Sequence, residues 1–197
     1  MSRVRRVRLA VMASGTGSNF LAIAQAAREG RLLADIPLLI CDKPDANVLV
    51  LADRLGIDSV CLPRKQFETR EEMDQAILDI LLEKQVELVA LAGYMRIIGP
   101  PLLNAFQGPI VNIHPSLLPH FPGTNAIQET FEGGYGGVTI HLVDEGVDTG
   151  PILAQQPVHR FETDTLESFE ARVHRVEHSF YPTVLQALID QRKVSEK

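Results

Sequence analysis

Up to Ala92 the chain alternates short apolar runs with stretches of helical spacing, and this constrains the fold more than any other feature of the sequence. Residues 7–13, 36–41, 57–62 and 88–92 are apolar and strand-length. Between them, 19–29 has helical spacing and is stopped by Gly30, and 47–55 is closed by Gly56. The third helical stretch, 69–84, opens with Thr69 and Glu72 at the spacing of a capping box. Strands separated by helices predict a parallel sheet with helices on both faces.

The second half has a different rhythm. Residues 110–114 read as a strand, followed by a loop with Pro115, Pro119 and Pro122 and a short helix near 126–132. Residues 138–143 and 152–158 are strands with only a loop between them, which predicts antiparallel pairing. A last helix, about 165–189, carries Leu166, Phe169, Val173, Val176, Phe180 and Val184 on one face, and Pro182 predicts a bend or a break in it. The fold class is therefore α/β: a doubly wound, mainly parallel sheet with antiparallel strands in the C-terminal half. One domain, 1–197, is expected, with halves at about 7–107 and 108–197.

A net charge of −6 argues against general nucleic-acid binding, which needs many phosphate-neutralising Lys and Arg residues. Small anionic ligands need only a local positive site. Charged or turn residues interrupt every apolar run before transmembrane length, so no membrane association is expected. The basic-then-apolar start mimics a signal peptide, but its apolar part is too short. Arg3, Arg5, Arg6 and Arg8 there predict a solvated edge before the first strand. Cys41 and Cys61 are too few for a disulfide framework and read as core thiols, in keeping with the cytoplasm.

Three segments carry chemistry. Ser14-Gly15-Thr16-Gly17-Ser18-Asn19 lies between the first strand and first helix, where glycines and free helix N–H groups suit an anion. A dinucleotide motif would need glycine where Phe20 stands, although Asp42 is placed like a ribose-binding acid. A Walker A lysine is absent. A single phosphate on a small metabolite fits best, and a plain tight turn is the structural alternative. Asn112 and His114 stand two apart at a strand end, where open sheets bind ligands. The turn 143–150 holds Asp144, Glu145 and Asp148; a carboxylate near a histidine would orient the ring and favour its protonated form. His174 and His178 could form half a metal site, but neither HExxH nor a cysteine cluster accompanies them, and no metal is expected. With no evident covalent nucleophile, the set suits direct acyl transfer, with Asn112 and protonated His114 stabilising an oxyanion.

At these residues the sequence resembles the glycinamide ribonucleotide formyltransferases, folate-dependent enzymes of de novo purine synthesis. The matching blocks are SGTGSN (14–19), LAGYMRIIGP (91–100), NIHPSLLPHFPG (112–123), VTIHLVDEGVDTGPILAQ (138–155) and RVHRVEHSFYP (172–182). The resemblance implies Asn112, His114 and Asp148 as the catalytic set, with Asp148 holding the imidazole and raising its pKa. It implies a ribonucleotide site of Gly17, Ser18 and Asn19, completed by His174, Arg175, Val176 and Glu177. It implies a folate site of Arg70, Met95, Arg96, Ile97, Ile98, Asn112, Asp144, Glu145, Gly146, Val147 and Asp148. The cosubstrate would be 10-formyltetrahydrofolate, with no metal, and the protein a monomer or homodimer. Two departures from the family pattern stand out: Thr124-Asn125 after the Phe-Pro-Gly segment, and a short connection at 132–137. A formyltetrahydrofolate hydrolase and a non-catalytic folate or nucleotide sensor are the alternatives.

Overall fold

The apolar runs of the first half become parallel strands β1 (Val7–Ala13), β2 (Ala34–Cys41), β3 (Ser59–Cys61) and β4 (Leu88–Leu91) in the computed structural model, which describes residues 5–195. Helices α1 (Ser18–Arg28), α2 (Asn47–Leu55) and α3 (Arg70–Glu83) connect them. The stop signals act as expected: Gly56 takes a left-handed φ of 66° after α2. At α3 the Thr69 hydroxyl accepts the Glu72 N–H at 3.1 Å, and the Glu72 carboxylate accepts the Thr69 N–H at 3.4 Å. That reciprocal pair is the capping box read from the sequence.

The second half adds α4 (Pro100–Ala105), β5 (Ile110–His114), α5 (Ala126–Gly133), β6 (Gly136–Leu142), β7 (Ile152–Val158) and α6 (Leu166–Ser195). Strand β5 pairs parallel with β4, and β6 and β7 follow antiparallel. One sheet results, ordered β3-β2-β1-β4-β5-β6-β7. Side chains alternate across it, and each face has its own core. Leu9, Val11 and Ala13 pack toward α1, α2 and α6; Ala10 and Met12 pack toward α3 and α4. Among the described residues no helix is long and apolar enough to cross a membrane.

Three features differ from the sequence reading. Helix α4 was not foreseen; it is a single short segment that starts with two prolines, too brief to show a period. Helix α6 runs through Pro182 without the break that proline predicts. Pro182 cannot donate to the carbonyl one turn back, but Tyr181, Leu185 and Ile189 on either side are fully buried, and this packing keeps the helix continuous. The basic N-terminal edge is not simply solvated. Arg6 donates to the Ala27 and Ala34 carbonyls at 2.7 and 2.6 Å, and Arg8 to the Lys84 carbonyl at 2.8 Å. Ala27 and Lys84 lie at helix C-termini, where carbonyls lack intrahelical partners. Arg5 pairs with Glu87, and Arg3 lies outside the described residues.

The strand order reverses between β1 and β4, which opens a crevice beyond their C-terminal ends. Tyr181 of α6 braces the sheet beside it: its buried hydroxyl lies 3.1 Å from the Leu91 carbonyl and 2.9 Å from that of Val111. Replacing Tyr181 with Phe strips both buried carbonyls of this donor and is expected to cost about 1–3 kcal/mol. Urea unfolding checks this; an unchanged midpoint would mean the hydroxyl contributes nothing to holding the strands.

Candidate active site

A cleft of about 660 Å³ occupies that crevice, and segments far apart in sequence line it. The first wall is the loop from β1 to α1. Gly17 there has φ 84°, and a Cβ on it would stand 2.7 Å from Val48 Cγ2, so the position requires glycine for both conformation and space. Helix α1 starts at Ser18 with neither a side-chain cap nor an acidic residue in its first turn. Its leading N–H groups and the positive end of its dipole are thus left for a ligand in the cleft. Ser14 ties this wall to the next: its hydroxyl accepts the Met95 N–H at 2.8 Å, and its own N–H meets the Gly93 carbonyl at 3.1 Å.

Helix α6 closes the same end. The buried Glu177 carboxylate accepts from Asn19 Nδ2 at 3.0 Å and lies 2.9 Å from His174 Nδ1. The Glu177 hydrogen bond raises the His174 pKa; burial opposes it, and the charges of Glu177 and Glu170 add to the rise. The His174 and His178 rings stack at 11° with centroids 6.4 Å apart, and His174 faces carboxylates.

The second cluster forms where β5 meets β6. Asn112 and His114, two apart, share a face of β5, and the antiparallel register sets His141 of β6 opposite Asn112. Asp148 reaches them from the β6–β7 turn with a left-handed φ of 55°, a conformation that Asp tolerates better than most residues. Its Oδ2 lies 3.3 Å from His114 Nδ1 and accepts the Gly123 N–H at 2.8 Å. Its Oδ1 lies 3.3 Å from Asn112 Nδ2 and 3.5 Å from His141 Nε2. Burial alone would raise the carboxyl's pKa. The hydrogen bond with His141, the Gly123 N–H and the charges of His114 and His141 outweigh burial and hold it below the ordinary aspartate value.

The same contacts assign hydrogens. The Leu142 carbonyl, which can only accept, lies 2.9 Å from His141 Nδ1, so that nitrogen carries the hydrogen. His141 Nε2 stands between Asn112 Nδ2 at 3.1 Å and Asp148 Oδ1 at 3.5 Å. His114 Nε2 likewise donates to the Phe121 carbonyl at 2.8 Å, while its Nδ1 faces Asp148. The loop presenting Phe121 is tightly held: Leu118 N–H donates to Thr139 Oγ1 at 3.0 Å, Thr139 Oγ1 donates to the Ser116 carbonyl at 2.7 Å, and Gln155 Nε2 donates to the Leu118 carbonyl at 2.9 Å. Only two residues connect α5 to β6, and one of them, Tyr135, packs on Phe121 with ring centroids 5.8 Å apart.

Of the residues singled out in the sequence, Gly17, Ser18, Asn19, Met95, Arg96, Ile97, Ile98, Asn112, His114, Asp144, Gly146, Val147, Asp148, His174 and Glu177 line this one cleft. Met95, Ile97 and Val147 expose apolar surface to it. Arg96 donates from Nε to Asp42 Oδ2 at 2.8 Å, which places the acid considered for a ribose in an internal ion pair. Arg70, Glu145, Arg175 and Val176 do not line it: Arg70 stands beside Gly99 at the start of α3, Arg175 is exposed, and Val176 packs against the core under α6.

A formyl transferase family model matches residues 7–185, nearly the whole chain. The chain belongs to that family. It is 47% identical over 192 residues to the phosphoribosylglycinamide formyltransferase of Bacillus subtilis, covering 96% of this chain and 98% of that one. It is 41% identical over 187 residues to the Haemophilus influenzae protein of the same name, covering 94% and 88%. Among solved structures, glycinamide ribonucleotide transformylase 1 of Geobacillus kaustophilus superposes with a TM-score of 0.89 at 48% identity, covering 93% of this chain and 98% of that one. The Symbiobacterium toebii transformylase 1 gives a TM-score of 0.92 at 38% identity, covering 96% and 91%. This family membership accounts for the mixed sheet and for antiparallel strands following the parallel ones.

Sequence reasoning missed His141 and Tyr94 as members of this formyl transferase cleft, whereas Ser14, in the first of the singled-out segments, does line it. His141 sits inside an apolar strand run, and only the cross-strand register reveals that it faces Asn112. The depressed pKa of Asp148 has a consequence for stability. Its contribution is complete above the ordinary aspartate value of 3.8 and is lost as pH falls from there through the lower folded-state value. Asp148→Asn is therefore expected to unfold at lower urea than the parent at pH 7, with the gap closing at acid pH. A gap constant down to pH 3 would show that the charge on Asp148 is not what stabilises the fold.

Proposed function

We propose that this protein transfers the formyl group of 10-formyltetrahydrofolate to the amine of N1-(5-phospho-D-ribosyl)glycinamide, giving the formylated ribonucleotide and tetrahydrofolate in de novo purine biosynthesis. The observation that carries this reading is the meeting, in one cleft, of an uncapped helix N-terminus with the cluster Asn112, His114 and Asp148. The first suits a phosphate and the second suits attack on a carbonyl. Relatives named phosphoribosylglycinamide formyltransferase match it along nearly their whole length.

Each residue then has a task. Gly17, Ser18 and the N-terminus of α1 receive the phosphate, and Asn19 and Glu177 hold the ribose. The folate lies against Met95, Ile97 and Val147. The glycinamide amine attacks the formyl carbon, and the carbonyl electron pair moves onto oxygen. Asn112 turns toward that oxygen from Asp148, the longer of its two contacts at 3.3 Å. The oxygen replaces the Phe121 carbonyl as acceptor for His114. The tetrahedral species collapses by breaking the bond from carbon to the folate N10, which takes a proton from His114. The proton lost by the amine passes to a water ordered by Asp148 and from there restores the one given by His114, whose ring the same carboxylate keeps oriented. No covalent enzyme intermediate is needed, and the substrates are small molecules met in the cytoplasm.

The deciding experiment is a spectrophotometric assay with the ribonucleotide and a 10-formylfolate, run beside a control lacking the ribonucleotide. Deformylation only with the ribonucleotide is expected. Equal deformylation in both would make the protein a hydrolase, and binding without turnover would make it a sensor. Asp148→Asn is expected to lower kcat by about 10²-fold or more, with the fold retained by circular dichroism. Near-parental turnover would remove Asp148 from the mechanism.

A further inference from the structure

Charge in the cleft is unevenly matched. Asp144, Asp148, Glu170 and Glu177 all line it, whereas Lys43 and Arg96 are the only Lys or Arg residues among the described residues that do so. Arg96 is committed: its Nε is bound to the fully buried carboxylate of Asp42 at 2.8 Å. Lys43 is exposed, and among the described residues no carboxylate lies within ion-pair distance of its ammonium. A phosphate dianion entering past these acids meets one cation not already neutralised by the protein.

The backbone around Lys43 is held rigidly against the anion cradle. Its N–H donates to Cys41 Sγ at 3.4 Å, the Cys41 thiol lies 3.3 Å from the Lys43 carbonyl, and that carbonyl also accepts the Ala46 N–H at 3.2 Å. The segment that follows is bolted to the β1–α1 loop. Val48 N–H donates to the Gly15 carbonyl at 3.1 Å, Asn47 Nδ2 donates to the Thr16 carbonyl at 2.8 Å, and Val48 occupies the space beside Gly17 that a Cβ would need. The turn that starts at Lys43 is thus a second layer of the cradle wall. Its ammonium, on a flexible four-carbon stem, suits a role as a point charge for phosphate.

We infer that Lys43 is a substrate-positioning residue whose ammonium neutralises the phosphate of the ribonucleotide at the mouth of the α1 cradle, and so makes the site prefer phosphorylated substrate over the bare nucleoside. The inference rests on the proposed function for its substrate but is read by binding, which requires no turnover. Calorimetric titration would compare glycinamide ribonucleotide with glycinamide ribonucleoside for the parent, Lys43→Met and Lys43→Arg. Lys43→Met is expected to weaken ribonucleotide binding by about 10- to 100-fold, as for a lost charge-assisted contact, and to leave nucleoside binding unchanged. Lys43→Arg should restore most of the loss, because it returns the charge. In turnover the Met variant should raise KM for the ribonucleotide far more than it lowers kcat, leaving KM for the folate unchanged. Equal weakening of both ligands, an unchanged ribonucleotide affinity, or a parent that does not distinguish the two ligands would each overturn the assignment. Binding as expected without formyl transfer by the parent would instead strike only the proposed reaction.

Discussion

The site depends on one half-buried carboxylate. Asp148 arrives on a turn in left-handed geometry and is met by the Gly123 N–H, the Asn112 amide and the rings of His114 and His141. A charge withdrawn from water is costly unless paired and hydrogen-bonded, and these partners come from three different segments. Satisfying it draws together β5, β6, the loop after β5 and the β6–β7 turn. The same contacts fix the His114 ring, so in the proposed reaction packing constraint and preorganisation would be one arrangement. His141 has the quieter part: with its Nδ1 on the Leu142 carbonyl, its other nitrogen is turned to Asn112.

The rest of the cleft follows from topology. Because the strand order reverses beside β1, loops from both halves of the chain converge on one edge of the sheet. A helix N-terminus from the first half then faces an Asn/His/Asp cluster from the second. Tyr181 stitches these halves together by a hydrogen bond across 90 residues of sequence, and Ser14 ties two loops of the first half across 81. A transferase has to hold two substrates at a fixed separation, and a rigid sheet edge does this better than a hinge between domains. Thr124 and Asn125 line the cleft, and the two-residue link before β6 sets Tyr135 against the loop that holds His114.

Electrostatics complete the picture. The protein is acidic overall, and Lys43 and Arg96 are the only Lys or Arg residues among the described residues that line this cleft, so in the proposed reaction a phosphate would rely on oriented N–H groups and on the one cation not paired with an internal acid. Asp42 shows why position in sequence is an insufficient guide: placed like a ribose acid, it is instead spent on Arg96. Arg6 and Arg8 make the same point from the other sign, serving carbonyls at helix ends rather than solvent.

By itself, the sequence determined the elements and their order. Local rules set them: continuous apolar runs for strands covered on both faces, the Thr69–Glu72 capping box, left-handed Gly56, and the apolar stripe of the last helix. It also held the Asn112, His114 and Asp148 set, legible through the family resemblance of several blocks in order. Tertiary structure decided what depends on register and on distant partners. It placed His141 opposite Asn112, gave Arg96 to Asp42, left Lys43 without an ion pair among the described residues, kept Arg70 and Val176 out of the cleft, and carried α6 through Pro182. None of these has a local signature, because each is settled by which buried charge or surface finds a partner when remote segments pack, and only the folded chain specifies that.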